Sequence, residues 1–82
     1  QYTDALKSLL QANELDPGNS EILNNLGMAY YFKGEKDLAI RTLNEALKHD
    51  KKNSDASVNL ASIFYKDGKY AEAEKIYKRV LK

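Results

Sequence analysis

The chain repeats itself every 34 residues, and no other feature constrains its fold as strongly. Sliding Ser20–Lys48 onto Ser54–Lys82 pairs Ser20 with Ser54, Asn25 with Asn59, Leu26 with Leu60 and Tyr31 with Tyr65. The same shift pairs Gly34 with Gly68, Ala39 with Ala73, Leu47 with Leu81 and Lys48 with Lys82. Conservative matches fill the gaps, as in Gly27 with Ala61 and Tyr30 with Phe64. A fixed period of this length marks a solenoid, in which each unit buries its apolar face against its neighbours.

Within each unit the apolar residues recur at helical spacing. Leu23, Leu26, Gly27, Tyr30 and Tyr31 follow one another at three- and four-residue steps, and Leu38, Ala39, Leu43, Ala46 and Leu47 do the same. No window alternates in the manner of a strand. Lys33-Gly34 and Asp67-Gly68 each close a helix, because glycine accepts the left-handed conformation common at helix C-termini. Asn19-Ser20 and Asn53-Ser54 supply N-capping side chains at equivalent places, and Asp16-Pro17-Gly18-Asn19 forms a turn between units. These signals predict an all-α chain of five helices, at about 3–15, 20–33, 36–49, 54–67 and 70–81. The short connections after Gly34 and Gly68 require antiparallel hairpins.

Small residues indicate close helix packing. Gly27 and Ala61 lie mid-helix, where an unused glycine would cost about 1 kcal/mol against alanine. Ala39 and Ala73 stand near the start of the partner helices. The order Leu23, Leu26, Gly27, Tyr30, then Ala39, Leu43, Ala46, resembles the tetratricopeptide repeat. It returns as Ser57, Leu60, Ala61, Phe64, then Ala73, Tyr77, Val80. Residues 1–19, through Tyr2, Ala5, Leu9, Ala12 and Pro17, resemble the second helix of a truncated repeat. Residues 20–53 read as one full repeat, and 54–82 as another without its closing turn, in a single domain spanning 1–82. The resemblance implies a right-handed α-solenoid of helix hairpins that binds a protein or peptide in a concave groove. The sequence departs from the family pattern where its first-helix tryptophan would stand, at Leu23 and Ser57.

Composition narrows the function classes. Thirteen basic and twelve acidic residues give a net charge of +1, which reads as a solvated surface and not as a footprint for nucleic acid. There is no cysteine, so neither disulfides nor thiolate metal ligands are available. No apolar stretch approaches the roughly 18 residues needed for membrane insertion. No signal peptide is visible, and the compartment stays open with the cytoplasm favoured. Because the chain begins with Gln1, an excerpt of a longer or processed protein is expected.

Catalysis finds little support. His49 is the only histidine, no glycine-rich phosphate loop is present, and the serines have no base at a recognisable spacing. No cofactor or metal site is expected. The candidate residues instead belong to a peptide-binding groove: Asn24, Asn25, Met28, Tyr31 and Phe32 on the first groove helix. On the second they are Asp55, Asn59, Ser62, Tyr65 and Lys66. Asparagine amides offer both donor and acceptor to an extended peptide, and tyrosines supply rigid contact area. The alternative for Asn25 and Asn59 is to tie adjacent helices together, and for Tyr31 and Tyr65 to pack between units. Asp55 argues against a clamp for a terminal carboxylate. A second reading is homo-oligomerisation through open ends, with Tyr2, Leu6 and Leu9 exposed at one and Ile76, Val80 and Leu81 at the other.

Overall fold

A computed structural model of the protein describes the backbone of residues 2–81 and the side chains of 3–81. Among these residues five α-helices follow one another: α1 (Tyr2–Leu15), α2 (Ser20–Lys33), α3 (Lys36–His49), α4 (Ser54–Lys66) and α5 (Tyr70–Leu81). The expected boundaries hold to within one residue; α4 stops at Lys66 because Asp67 already serves as its C-cap. Helices adjacent in sequence pack on one another, and α2 also touches α4 across one period. The stack measures 34 × 24 × 15 Å.

The local chemistry explains these limits. Asn19 and Asn53 cap α2 and α4, their side-chain oxygens accepting from the backbone amides of Ile22 at 3.1 Å and Ala56 at 3.0 Å. Gly34 and Gly68 take positive φ values of 97° and 80°. That conformation lets the next residue reach back: Glu35 N–H donates to the Tyr30 carbonyl and Lys69 N–H to the Phe64 carbonyl, both at 2.8 Å. Each hairpin therefore turns within a few residues.

Packing follows the small residues. A Cβ added at Gly27 would lie 2.8 Å from Leu43 Cγ and 3.3 Å from the Ala39 carbonyl oxygen, so glycine is what lets α2 approach α3. The main core joins Leu23, Ala39, Leu43, Ala46, Ala56, Leu60, Ala61, Ile63, Ala73 and Ile76. A smaller cluster of Leu6, Leu26 and Ala29 seats α1 on α2. Leu43 and Ile63 are the largest side chains wholly withdrawn from water, each worth about 1.5–3 kcal/mol.

The residues expected at open ends divide. Leu6 and Ile76 are not exposed; each is only 6% accessible. Leu6 packs on Leu26 and Ala29, while Ile76, one turn after Ala73, shares the face of α5 turned to the core. Leu9 and Val80 are half-buried, Leu81 is 85% exposed, and the side chain of Tyr2 lies outside the described residues.

Candidate peptide-binding surface on the α2 and α4 helices

The first groove residues meet at the seam between α2 and α4. Asn24 is buried, which corrects its expected exposure, and its Oδ1 accepts from Asn59 Nδ2 at 2.9 Å. The physical reason is register. Asn24 sits beside Leu23 on the side of α2 that α4 covers, where a buried amide requires a partner. Asn59 is half-buried and its amide is directed to Asn24. Asn25, its equivalent one period earlier, is exposed and has no side-chain hydrogen bond among the described residues. The two asparagines matched by the repeat thus occupy different environments.

Further along the same helices lies an aromatic and cationic cluster. The half-buried Tyr31 packs against the core and meets Phe32 edge-on, with ring centroids 5.7 Å apart. Lys66 Nζ from α4 stands 5.8 Å from the centre of the Tyr31 ring, within cation–π range. Phe32 is 55% exposed and Tyr65 58% exposed, so the cluster presents apolar area to solvent. Met28 is half-buried against the core, and Asp55 is exposed in the first turn of α4. Ser62 is half-buried, with its hydroxyl 3.4 Å from that of Tyr77 on α5. It therefore faces the partner helix as much as the solvent.

Two features of this surface escaped sequence reasoning. Tyr70 stacks edge-on against Tyr65 at 5.0 Å, and with Tyr77 and Leu81 the pair lines an open cavity of about 680 Å³. Two aromatics five residues apart across a glycine turn give the only sequence signal for that contact. The second is an ion pair joining the hairpins, Lys36 Nζ to Asp67 Oδ1 at 2.7 Å. Hydrogen bonding to Asp67 raises the Lys36 pKa above its ordinary value, and the same bond lowers that of Asp67. Neither residue signals the pair, since partners 31 positions apart share no local pattern.

Among the described residues there is no group of three or more histidine, cysteine or carboxylate side chains placed to hold a metal ion. No helix is long and apolar enough to cross a membrane.

A stack of antiparallel helix hairpins with glycine- and alanine-mediated approach is the architecture of a helical repeat protein. The chain belongs to the tetratricopeptide repeat family: the "Tetratricopeptide repeat" profile matches residues 25–82 and a "TPR repeat" profile matches residues 1–34. It is 37% identical over 76 residues to photosystem I assembly protein Ycf3 of Prochlorococcus marinus (strain MIT 9215), covering 87% of this chain and 43% of that protein. It is 29% identical over 77 residues to the TPR repeat-containing protein YpiA of Bacillus subtilis (strain 168), covering 94% of this chain and 18% of that one. It is 43% identical over 54 residues to anaphase-promoting complex subunit 3 of Dictyostelium discoideum, covering 66% and 6%. The chain thus spans less than half the length of these curated relatives. This kinship makes the hairpin stack a protein–protein interaction module.

Proposed function

We propose that the chain acts without catalysis, holding a partly apolar peptide segment or partner helix against the α2 and α4 face. The observation that carries this reading is the pairing of exposed Phe32 and Tyr65 with the Tyr31–Lys66 contact, with the exposed amide of Asn25 about two turns earlier on α2. Aromatic rings give contact area at low entropic cost, and an exposed amide can grip a peptide backbone irrespective of its side chains. The Asn24–Asn59 bond holds the two helices that present them. Ser62 and Met28 border this surface, and Asp55 disfavours a ligand with a terminal carboxylate near the start of α4.

Peptides selected on the purified chain from a random displayed library test the reading. Partly apolar sequences are expected, with affinity dropping about tenfold, or about 1.4 kcal/mol, when Phe32 or Tyr65 becomes alanine. Selected peptides that bind the Phe32→Ala/Tyr65→Ala/Asn25→Ala variant undiminished would sink it.

A second reading, assembly of copies through the α5 end, is favoured by one observation. Leu81 is almost fully exposed beside the cavity lined by Tyr65, Tyr70 and Tyr77. The name of the Prochlorococcus marinus relative, an assembly protein, is compatible with either reading. Light scattering at two concentrations separates them, since a strictly monomeric chain excludes self-assembly.

A further inference from the structure

At the opposite end of α4 from Tyr65, the second unit carries a concavity. It encloses about 610 Å³ between the C-terminal parts of α3 and α5 and the turn leading into α4. Four cations line it: Lys48, Lys51, Lys52 and Arg79. Among the described residues none of them has an ion pair and no carboxylate lines the cavity. Asp50, on the same turn, has its Oδ1 engaged by the Lys52 backbone amide at 3.0 Å. Leu47 and Val80 supply apolar wall, and Ser54 and Ser57 complete the lining.

The internal repeat provides a control within the molecule. One period earlier the four cationic positions are Glu14, Pro17, Gly18 and Glu45. The fold therefore places no demand for positive charge there, and the change runs from two carboxylates to four cations. Ser57 lines the cavity, and its counterpart one period earlier is the buried, larger Leu23, so the second unit has less side-chain volume at this position. Ser20 also differs from its counterpart. Its hydroxyl donates to the Ala46 carbonyl at 2.9 Å and accepts from Asn53 Nδ2 at 2.7 Å, whereas Ser54 lines the concavity.

We infer that this concavity is a second binding site, distinct from the α2 and α4 face, for an acidic peptide segment carrying a leucine-like side chain. The apolar side chain takes the place over Ser57 that Leu23 occupies one period earlier, between Leu47 and Val80. Flanking carboxylates meet Lys48, Lys51, Lys52 and Arg79, and the hydroxyls of Ser54 and Ser57 donate to the peptide carbonyls. No aromatic side chain lines the cavity to stack a base, which disfavours single-stranded nucleic acid as the occupant. The apolar wall is recessed and does not project, which disfavours a membrane surface.

Fluorescence anisotropy with a labelled, end-blocked Glu-Asp-Leu-Asp-Glu peptide tests the site. Binding is expected to weaken as salt rises, since exposed charges are screened beyond about 10 Å at 0.1 M. Lys51→Glu/Arg79→Glu is expected to weaken it at least tenfold. Ser57→Leu, which copies the first unit and retains the fold by circular dichroism, is expected to abolish it. Phe32→Ala/Tyr65→Ala should leave it unchanged, so failure here and failure of the peptide-face reading are distinguishable. The proposal is overturned if Ser57→Leu binds as well as the parent chain. It is equally overturned if a peptide with serine replacing leucine binds as tightly, or if a short oligouridylate binds in preference to the peptide.

Discussion

Asn59 of α4 donates its side-chain amide to Asn24 Oδ1 of α2 at 2.9 Å, across the seam between the two repeat units. The bond is local in space but spans 35 positions in sequence, one more than the repeat period. It joins the second of two adjacent positions in one unit to the first in the other. Forward of this seam the acceptor position is Val58, which cannot continue the pairing.

Removing one partner tests what that bond contributes. Asn59→Ala strands the buried Asn24 carbonyl oxygen and is expected to destabilise the chain by about 1–3 kcal/mol in urea denaturation. Asn25→Ala, at the repeat-equivalent but exposed position, should stay within about 0.5 kcal/mol of the parent. Equal effects of the two would show that the seam bond has no structural role.

A close approach makes the second prediction. Gly27→Ala gains about 1 kcal/mol of helix propensity but places a Cβ 2.8 Å from Leu43 Cγ. That atom is the branch point of a fully buried side chain, and overpacking of such a core costs about 1–3 kcal/mol. The melting temperature should fall; a rise would mean that α2 and α3 can separate freely.

The cap at Asn53 does more than its counterpart. Beyond capping Ala56 N–H, its Nδ2 donates to Ser20 Oγ, which in turn donates to the Ala46 carbonyl. Asn19 caps Ile22 N–H and otherwise bonds only the exposed Asp16 carboxylate among the described residues. Loss of either cap costs about 1 kcal/mol, and Asn53→Ala should exceed Asn19→Ala, because it also frees a hydroxyl between units. Denaturant midpoints of the two alanine variants decide this.

Asn13 holds a buried carbonyl oxygen without a hydrogen-bond partner among the described residues. Its counterpart one period later is Leu47, which packs against the core. Asn13→Leu is therefore expected to stabilise the chain by about 1 kcal/mol, read as a higher urea midpoint. An unchanged or lower midpoint would contradict this.

Lys36 and Asp67 set a pH window. The lowered Asp67 pKa means its contribution is present above the ordinary value of 3.8 and is lost as pH falls through the folded value. The raised Lys36 pKa means a contribution present below 10.5 and lost as pH rises through the folded value. Asp67→Asn should thus lower stability slightly near neutral pH, and the difference should vanish in acid or in high salt. A difference that persists in acid would contradict the ion pair as its source.

The period, the caps and the small residues made the fold legible in the sequence, because each acts over a few residues or repeats regularly. Asn19, Asn53, Gly34, Gly68 and Gly27 all take the roles their positions foretell. The surface was less legible. Asn24 and Ile76 were expected outside and lie inside, because neighbouring helix positions differ by about 100° and a stripe read from spacing alone cannot fix its own edge. Lys36–Asp67 depends on how two hairpins meet, which no local pattern encodes, while Tyr65–Tyr70 forms within one hairpin and has only its five-residue spacing across Gly68 as a signal. Leu23 against Ser57 shows the converse: the departure from the repeat is visible in sequence as lost volume, but that Ser57 lines a cavity is seen only once the neighbouring helices are in place.

A partner held on the α2 and α4 face would perturb the amides of that face. Amide chemical-shift mapping of the isotope-labelled chain with a library-selected peptide tests it most directly. Shifts are expected to concentrate at Asn25, Met28, Tyr31, Phe32, Tyr65 and Lys66, with saturation at the peptide's measured affinity. Shifts confined to the outward residues of α3 and α5, such as Arg41 and Lys75, with the α2 and α4 face silent, would contradict it.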